Sequence, residues 1–177
     1  LVEEEIKALA PHFGQENCLF NETATWANVQ SSLKPGSGHP PVAALHIASH
    51  FLADSVNGKL GGLVLWDQTI YQDQLLELAP LPALVTLSGC SSLYSHVTNG
   101  DEQSGLVITC LRGGAQSVIG SRWPVQDAHA AHFMARFYAH YDQLLDPAKA
   151  LVLTQREFID QHLPTDAWAG FICAGIL

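Results

Sequence analysis

The sequence has few basic residues and no long apolar run. Its 8 Lys and Arg residues stand against 17 Asp and Glu residues in a chain of 177, giving a formal net charge of −9. Nucleic-acid phosphates and anionic membrane surfaces attract basic proteins, so we expect this chain to bind neither. The sequence also lacks a cationic leader and an apolar run of about 18 residues, so neither secretion nor membrane spanning is predicted.

The four cysteines do not show the close, regular spacing of a disulfide framework. The four, Cys18, Cys90, Cys110 and Cys173, are widely scattered, and three of the four fall inside apolar runs. This usage is typical of reduced thiols and predicts a cytoplasmic protein. The chain opens at Leu1, directly in a helical pattern and without a Met. We therefore expect it to be a piece of a longer protein.

Length and composition predict one domain over residues 1–177, because a chain with 47% hydrophobic residues can bury one sizeable core. Apolar spacing predicts helices over residues 2–13, 26–33, 71–78, 106–111, 127–145 and from 146 onward, the first interrupted by Pro11 and the fifth capped by Asp127. Strand patterns lie at residues 17–20, 43–50, 84–90, 116–121 and 168–173, with a hairpin over 63–70. This alternation of strands and helices predicts an α/β sandwich.

Two of the predicted strands end on side chains that can do chemistry. One apolar run ends on His50, and another delivers Cys90 into a Gly/Ser turn. Open α/β sheets bind ligands beyond the carboxyl ends of their strands, so adjacent strands of this kind bring the imidazole and the thiol together. The predicted helix over residues 71–78 provides the crossover that two parallel neighbours need.

The chemistry of a thiol and an imidazole at one rim is nucleophilic catalysis. With an ordinary pKa, only about 3% of a cysteine is thiolate at pH 7, so a neighbouring base is needed. We assign that role to His50, which then gives its proton to the leaving amine. The backbone N–H groups of Phe51 and Cys90 are the predicted donors to the oxyanion.

Several segments in order resemble the CHAT domain, a caspase-like module of the clan of cysteine peptidases that includes caspases and separases. The resemblance rests on residues 45–50, 84–90, 114–127 and 164–171, which cover most of the chain. It implies a three-layer sandwich whose mostly parallel six-stranded sheet has helices on both faces, with His50 and Cys90 as the catalytic pair. It further implies the C-terminal part of a chain that carries a regulatory domain such as tetratricopeptide repeats, and no metal or organic cofactor.

The sequence departs from this clan at two points. Phe51 follows the histidine where CHAT domains usually carry Gly, and the caspase signature around the nucleophile is absent. In related peptidases an acidic residue two positions before the nucleophile selects basic substrates, and Ser88 stands there. The other predicted pocket residues, Ser121, Arg122 and Asp127, leave the substrate preference open: Arg122 favours an acidic or polar residue through strand addition, whereas Asp127 and the pair Asp101–Glu102 favour the opposite.

Each of these residues also has a purely structural interpretation. Isolated apolar-flanked cysteines are usually core residues, as we expect for Cys18, Cys110 and Cys173. His46 shares a strand face with His50, and we expect it to be a structural histidine rather than a zinc ligand, because Ile47 stands where a zinc peptidase has Glu. The leading hypothesis is a cysteine endopeptidase acting on a protein or peptide. The alternative is a catalytically silent module that binds a partner protein.

Overall fold

The computed structural model describes residues 2–34, 42–52, 62–89, 96–97 and 103–175. Cys90, Asp101 and Glu102 lie outside these residues. The helices are α1 (Val2–Phe13), α2 (Trp26–Leu33), α3 (Gln72–Leu76), α4 (Leu106–Arg112), α5 (Asp127–Leu144) and α6 (Pro147–Asp160). The strands are β1 (Ala44–Ala48), β2 (Phe51–Leu52), β3 (Gly62–Val64), β4 (Thr69–Ile70), β5 (Leu84–Ser88), β6 (His96–Val97), β7 (Gln103–Ser104), β8 (Ser117–Ser121) and β9 (Phe171–Gly175).

The main sheet has the strand order β1-β5-β8-β9. β1, β5 and β8 are parallel, and β9 runs antiparallel to β8 at the edge. The expected mixed α/β architecture is therefore present, but in the described part of the chain the main sheet has four strands rather than six. The other short strands pair among themselves, β2-β3-β4 in one antiparallel sheet and β6-β7 in another. The predicted hairpin over residues 63–70 is confirmed as β3 and β4.

Helices cover both faces of the main sheet because its buried strands alternate apolar side chains between two cores. On one face, Leu84 and Ile119 pack with buried residues of α1, α5 and α6. On the other, Val85 and Val118 pack with residues of α2, α3 and α4. The sheet is thus packed between two layers of helices.

The helix boundaries follow from capping groups. The Thr25 hydroxyl accepts the Asn28 N–H at 3.3 Å and caps α2, and the Asp146 carboxylate accepts the Lys149 N–H at 3.0 Å and caps α6. The predicted cap of α5 is wrong by one position: Gln126 is its N-cap and Asp127 is its first helical residue. This shift leaves the Asp127 side chain available to the site described below.

The predicted helix over residues 2–13 is confirmed, and α1 continues through Pro11 to Phe13. Two other predictions of secondary structure need correction. Residues 17–20 are not a strand. The Thr23 hydroxyl accepts the Phe20 N–H and donates to the Phe20 carbonyl, and these bonds close the 3-10 turn Asn21–Thr23 that follows. The last strand starts at Phe171 rather than at residue 168, since a 3-10 turn occupies Thr165–Ala167.

Within the described ranges, none of the helices combines the length and the hydropathy that crossing a membrane requires.

Candidate active site

The two strands predicted to carry the reactive side chains are direct neighbours. β1 and β5 are parallel, and each β1 residue from Ala44 to Ala48 lies opposite the residue forty positions later in β5. The Ser49 N–H extends this ladder by donating to the Ser88 carbonyl at 3.1 Å. The carboxyl ends of β1 and β5 therefore meet at one edge of the sheet, where the exposed His50 follows. Cys90, the predicted nucleophile, lies outside the described residues.

A pocket opens at this edge, on the face covered by α1 and α5. The described residues that line it are Glu5, Ser49, His50, Ser88, Gly89, Ser121, Val125, Asp127, Ala130 and Phe171. Four predicted site residues, His50, Ser88, Ser121 and Asp127, thus share one pocket. Gly89, which immediately precedes Cys90 in the sequence, lines it as well.

Arg122 was predicted to line the same pocket, and the structure corrects this prediction. The Arg122 side chain is exposed and does not line the pocket, and its N–H donates to the Gly170 carbonyl at 3.0 Å. β8 also pairs on both sides, with β5 and with β9, so its backbone has no open edge for an added peptide strand. The sequence places Arg122 directly after a strand but gives no indication of β9 on its outer side.

Phe51, which stands where CHAT-like sequences usually have Gly, packs against the turn after β5. A Cβ atom built on Gly89 would overlap the Phe51 ring and the Ser49 carbonyl. The Val64 N–H donates to the His50 carbonyl at 3.1 Å, so the alternation of the β2–β3 ladder directs the Phe51 N–H away from β3. The ring therefore fills the space beside Gly89 while the N–H takes no part in that ladder.

Beneath the pocket, a buried polar network connects four elements. The His46 Nε2 atom lies 3.1 Å from Glu5 Oε1, and its Nδ1 atom lies 2.6 Å from the Thr86 hydroxyl. The Tyr138 hydroxyl lies 2.6 Å from the same Thr86 oxygen. Burial, the largest influence, raises the pKa of Tyr138 far above its ordinary value, so this group stays protonated. Both ring nitrogens of His46 thus have hydrogen-bond partners, as expected for a structural histidine.

The three cysteines of the described chain are free, and burial makes each of them less reactive. Burial raises the pKa of Cys110 to about 12. It also raises the pKa of Cys18 and, as the largest of several influences, that of Cys173. Because a thiol reacts as its thiolate, these three residues are poor nucleophiles at neutral pH.

Comparison with known families adds evidence that is independent of this geometry. The sequence matches the CHAT domain family over residues 1–176, which is essentially the whole chain. The chain belongs to the CHAT domain family. CHAT domains are related to caspase-like peptidases. A search of curated proteins gives no match for this CHAT domain.

One residue that lines the pocket of this CHAT domain was not predicted from the sequence. Glu5 is only 3% exposed although it belongs to the N-terminal helix, far in sequence from the strand ends. Position 5 shares the helical spacing of Val2 and Leu9, which form part of the apolar pattern of α1. A carboxylate within this apolar pattern was the sequence signal that could have identified Glu5. Buried carboxylates are rare unless they are paired or functional, which makes this position informative.

Proposed function

We propose that this CHAT domain is a cysteine endopeptidase in which Cys90 is the nucleophile and His50 the base. The Cys90 thiol gives its proton to His50, and the sulfur attacks the carbonyl carbon of a peptide bond. The bond to the amine then breaks as His50 returns the proton to the leaving nitrogen, and water hydrolyses the thioester with His50 again as base. The substrate is a protein or peptide, and a thiol nucleophile fits a reducing compartment such as the cytoplasm.

The observation that carries this proposal is the register of β1 and β5. The offset of forty residues between partners equals the separation of His50 and Cys90 in the sequence. The proposal extends this register by two residues, which brings position 90 beside His50. His50 and Gly89 already line the same pocket, which supports this extension.

The oxyanion of the tetrahedral intermediate requires donors near the same edge. We assign this role to the N–H groups of Phe51 and Cys90, as the sequence suggests. The direction of the Phe51 N–H, away from β3, supports its part in this assignment. The Phe51 ring does not remove the donor, because the substitution of Gly by Phe changes only the side chain.

Activity-based labelling tests the nucleophile directly. The chain, the Cys90→Ala variant and the His50→Gln variant are each treated with iodoacetamide and with a peptidyl acyloxymethyl ketone, and labelled residues are mapped by mass spectrometry. We expect Cys90 to be modified at least tenfold faster than Cys110, because burial keeps Cys110 protonated at neutral pH. His50→Gln is expected to slow the labelling of Cys90 without changing that of Cys18.

The outcomes distinguish three functions. Equal labelling of the parent and Cys90→Ala means that Cys90 is not an activated nucleophile, and the domain is then a silent module for binding a partner. Labelling of Cys90 without cleavage of any peptide in a library indicates acyl transfer or amide hydrolysis on the same pair. Labelling together with cleavage that is lost in both variants is the result expected for an endopeptidase. Regulation by a further domain of a longer chain, such as tetratricopeptide repeats, belongs to the same proposal.

A further inference from the structure

The pocket beside His50 has an unusual charge for a peptide-binding site. Among the described residues that line it are two carboxylates, from Glu5 and Asp127, and no Lys or Arg. The hydroxyl-bearing residues Ser88 and Ser121 line the same pocket and are buried. A pocket of this composition stabilises a positive charge and disfavours a negative one, because a second anion would be desolvated next to existing carboxylates.

Glu5 and Asp127 reach the pocket from different elements and differ in burial. Glu5 comes from α1 and is 3% exposed, so its carboxylate forms part of the buried wall. Asp127 is the first residue of α5 and is half-buried, so it lies nearer to solvent. The two carboxylates therefore act on a side chain that enters the pocket rather than on one that lies across the surface.

Glu5 is held in place by the buried network beneath the pocket. The His46 Nε2 atom lies 3.1 Å from Glu5 Oε1, and the His46 Nδ1 atom lies 2.6 Å from the Thr86 hydroxyl. The Tyr138 hydroxyl lies 2.6 Å from the same Thr86 oxygen. The Glu5 carboxylate therefore keeps its position in the pocket wall through contacts inside the protein.

The position of the pocket identifies which substrate residue it contacts. His50 and Gly89 line it, and both lie at the edge where the carbonyl is attacked in the proposed reaction. The substrate side chain closest to the attacked carbonyl belongs to the residue that carries this carbonyl. We propose that Glu5 and Asp127 select substrates with lysine or arginine at the residue whose carbonyl is attacked. This inference rests on the proposed function for the identity of that residue, but the charge preference of the pocket does not require catalysis.

The other charged groups agree with this preference. Arg122, the residue that would favour an acidic substrate, is exposed outside the pocket. The net charge of −9 makes the whole molecule attractive to basic peptides, which increases their rate of encounter. Ser88 is uncharged, so the negative charge of the pocket comes from Glu5 of α1 and Asp127 of α5.

The test uses two readouts, binding without catalysis and cleavage. Hexapeptides that differ only at one central residue, Lys, Arg, Met, Gln or Glu, are titrated by calorimetry into Cys90→Ala and are separately offered to the parent as fluorogenic substrates. We expect the Lys or Arg peptide to bind at least tenfold more tightly than the Met peptide and the Glu peptide to bind weakest. In the parent, kcat/KM follows the same order.

Variants of the pocket separate selectivity from folding. Asp127→Asn and Glu5→Gln, each added to Cys90→Ala, are expected to weaken binding of the Lys peptide by about tenfold and to leave the Met peptide unchanged. Arg122→Gln is the control and is expected to change neither by more than twofold. Asp127 is half-buried, so its variant remains informative if loss of the buried Glu5 carboxylate unfolds the chain.

Failure of the inference and failure of the proposed function give different results. Equal binding of the Lys, Met and Glu peptides, or no binding of the Lys peptide, overturns the charge preference even if the parent cleaves peptides. Tight, charge-selective binding without cleavage by the parent supports the preference and argues against the peptidase.

Discussion

Gly89 leaves no room for a side chain beside the candidate site. It lies between the end of β5 and Cys90, and the Phe51 ring and the Ser49 carbonyl occupy the space that a Cβ atom needs. A carbonyl oxygen of the backbone cannot rotate away as a side-chain tip can. The turn that leads to Cys90 therefore requires glycine for reasons of contact rather than of backbone angle.

We accordingly expect Gly89→Ala to displace this turn. Relief of the overlap requires a backbone shift, which costs about 1–3 kcal/mol of stability and slows labelling of Cys90 by iodoacetamide. Gly113→Ala is the matched control, because the nearest obstacle there is the flexible tip of Leu81, 2.8 Å away. Urea unfolding and labelling rates measure both effects. An unchanged labelling rate in Gly89→Ala would show that the turn tolerates a methyl group.

Single residues of the site were predictable where a strand pattern pointed to them. His50 follows a strand end, so the rule for open α/β sheets pointed to it, whereas the resemblance to known peptidases pointed to Ser88. Glu5 was not found, because its contribution depends on how α1 packs over the sheet edge. Arg122 was misassigned for a similar reason, since only the packing of β9 shows that its neighbourhood is occupied.

α5 and α6 are joined at their surface by a bidentate ion pair. The Arg136 Nε and Nη2 atoms donate to the two Glu157 oxygens at 2.8 Å each, and His140 Nε2 lies 3.0 Å from Glu157 Oε1. The hydrogen bond from Arg136, the largest influence, lowers the pKa of Glu157 from its ordinary 4.5 to about 2. A lowered pKa means that the folded state stabilises the carboxylate.

This pair predicts an acid-dependent loss of stability. The contribution of Glu157 is fully present above pH 4.5, the ordinary pKa, and is lost as the pH falls toward 2. Because the pair is partly exposed, we expect Glu157→Gln to lower the free energy of unfolding by only about 0.5–1 kcal/mol at pH 7. Urea unfolding at pH 7, 4 and 3 measures this difference, which should shrink as the pH falls.

Glu77→Gln provides the control for this prediction. Glu77 is an exposed residue after α3 and has no ion-pair partner in the part of the chain that the structure describes. Its variant is expected to stay within about 0.5 kcal/mol of the parent at neutral pH. A difference for Glu157→Gln that grows on acidification would contradict the assigned pKa direction.

The elements themselves followed from the sequence better than their ends did. Apolar periodicity predicted α2, α5 and α6, and the apolar runs predicted β1, β5 and β8. The start of β9 was set too early, because residues 168–170 form a turn and the strand begins at Phe171. A local turn of this kind is not visible in a pattern of apolar residues.

The core beneath α5 and α6 is held by an aromatic cluster that spans three elements. Phe133 of α5 stacks on Phe171 of β9 with ring centroids 4.2 Å apart, and it meets Phe158 of α6 edge to face at 5.1 Å. All three rings are at most 1% exposed. This cluster fixes both helices and the edge strand to one face of the sheet.

Truncation of this cluster is expected to destabilise the whole molecule. Phe133→Ala should lower the free energy of unfolding by about 3–5 kcal/mol, because the lost contacts leave a cavity that the surrounding rings cannot fill. Val152→Ala is the control, because Val152 lies on α6 and is 45% exposed. This variant should change the free energy of unfolding by less than about 0.5 kcal/mol. Urea unfolding provides the measurement. A loss below about 1 kcal/mol for Phe133→Ala would show that the core relaxes around the gap.

The sequence predicted the α/β class of the fold but not the number of strands in the main sheet. Alternating helices and strands indicated α/β layering, and the resemblance added a six-stranded sheet. The described sheet has four strands because β2, β3 and β4 are too short to extend it and pair with one another. Pairing between such short segments depends on contacts distant in sequence, which a pattern of hydrophobicity does not encode.

β9 runs antiparallel to β8, and this direction determines at which rim of the sheet a fused protein or peptide is tolerated. Phe171 starts the strand beside the pocket, and Gly175 finishes it opposite Ser117, at the other rim of the sheet. Five residues of strand span roughly 16 Å at about 3.3 Å each. A fluorescent protein or surface-coupling peptide fused behind this strand would therefore leave from the rim opposite the pocket.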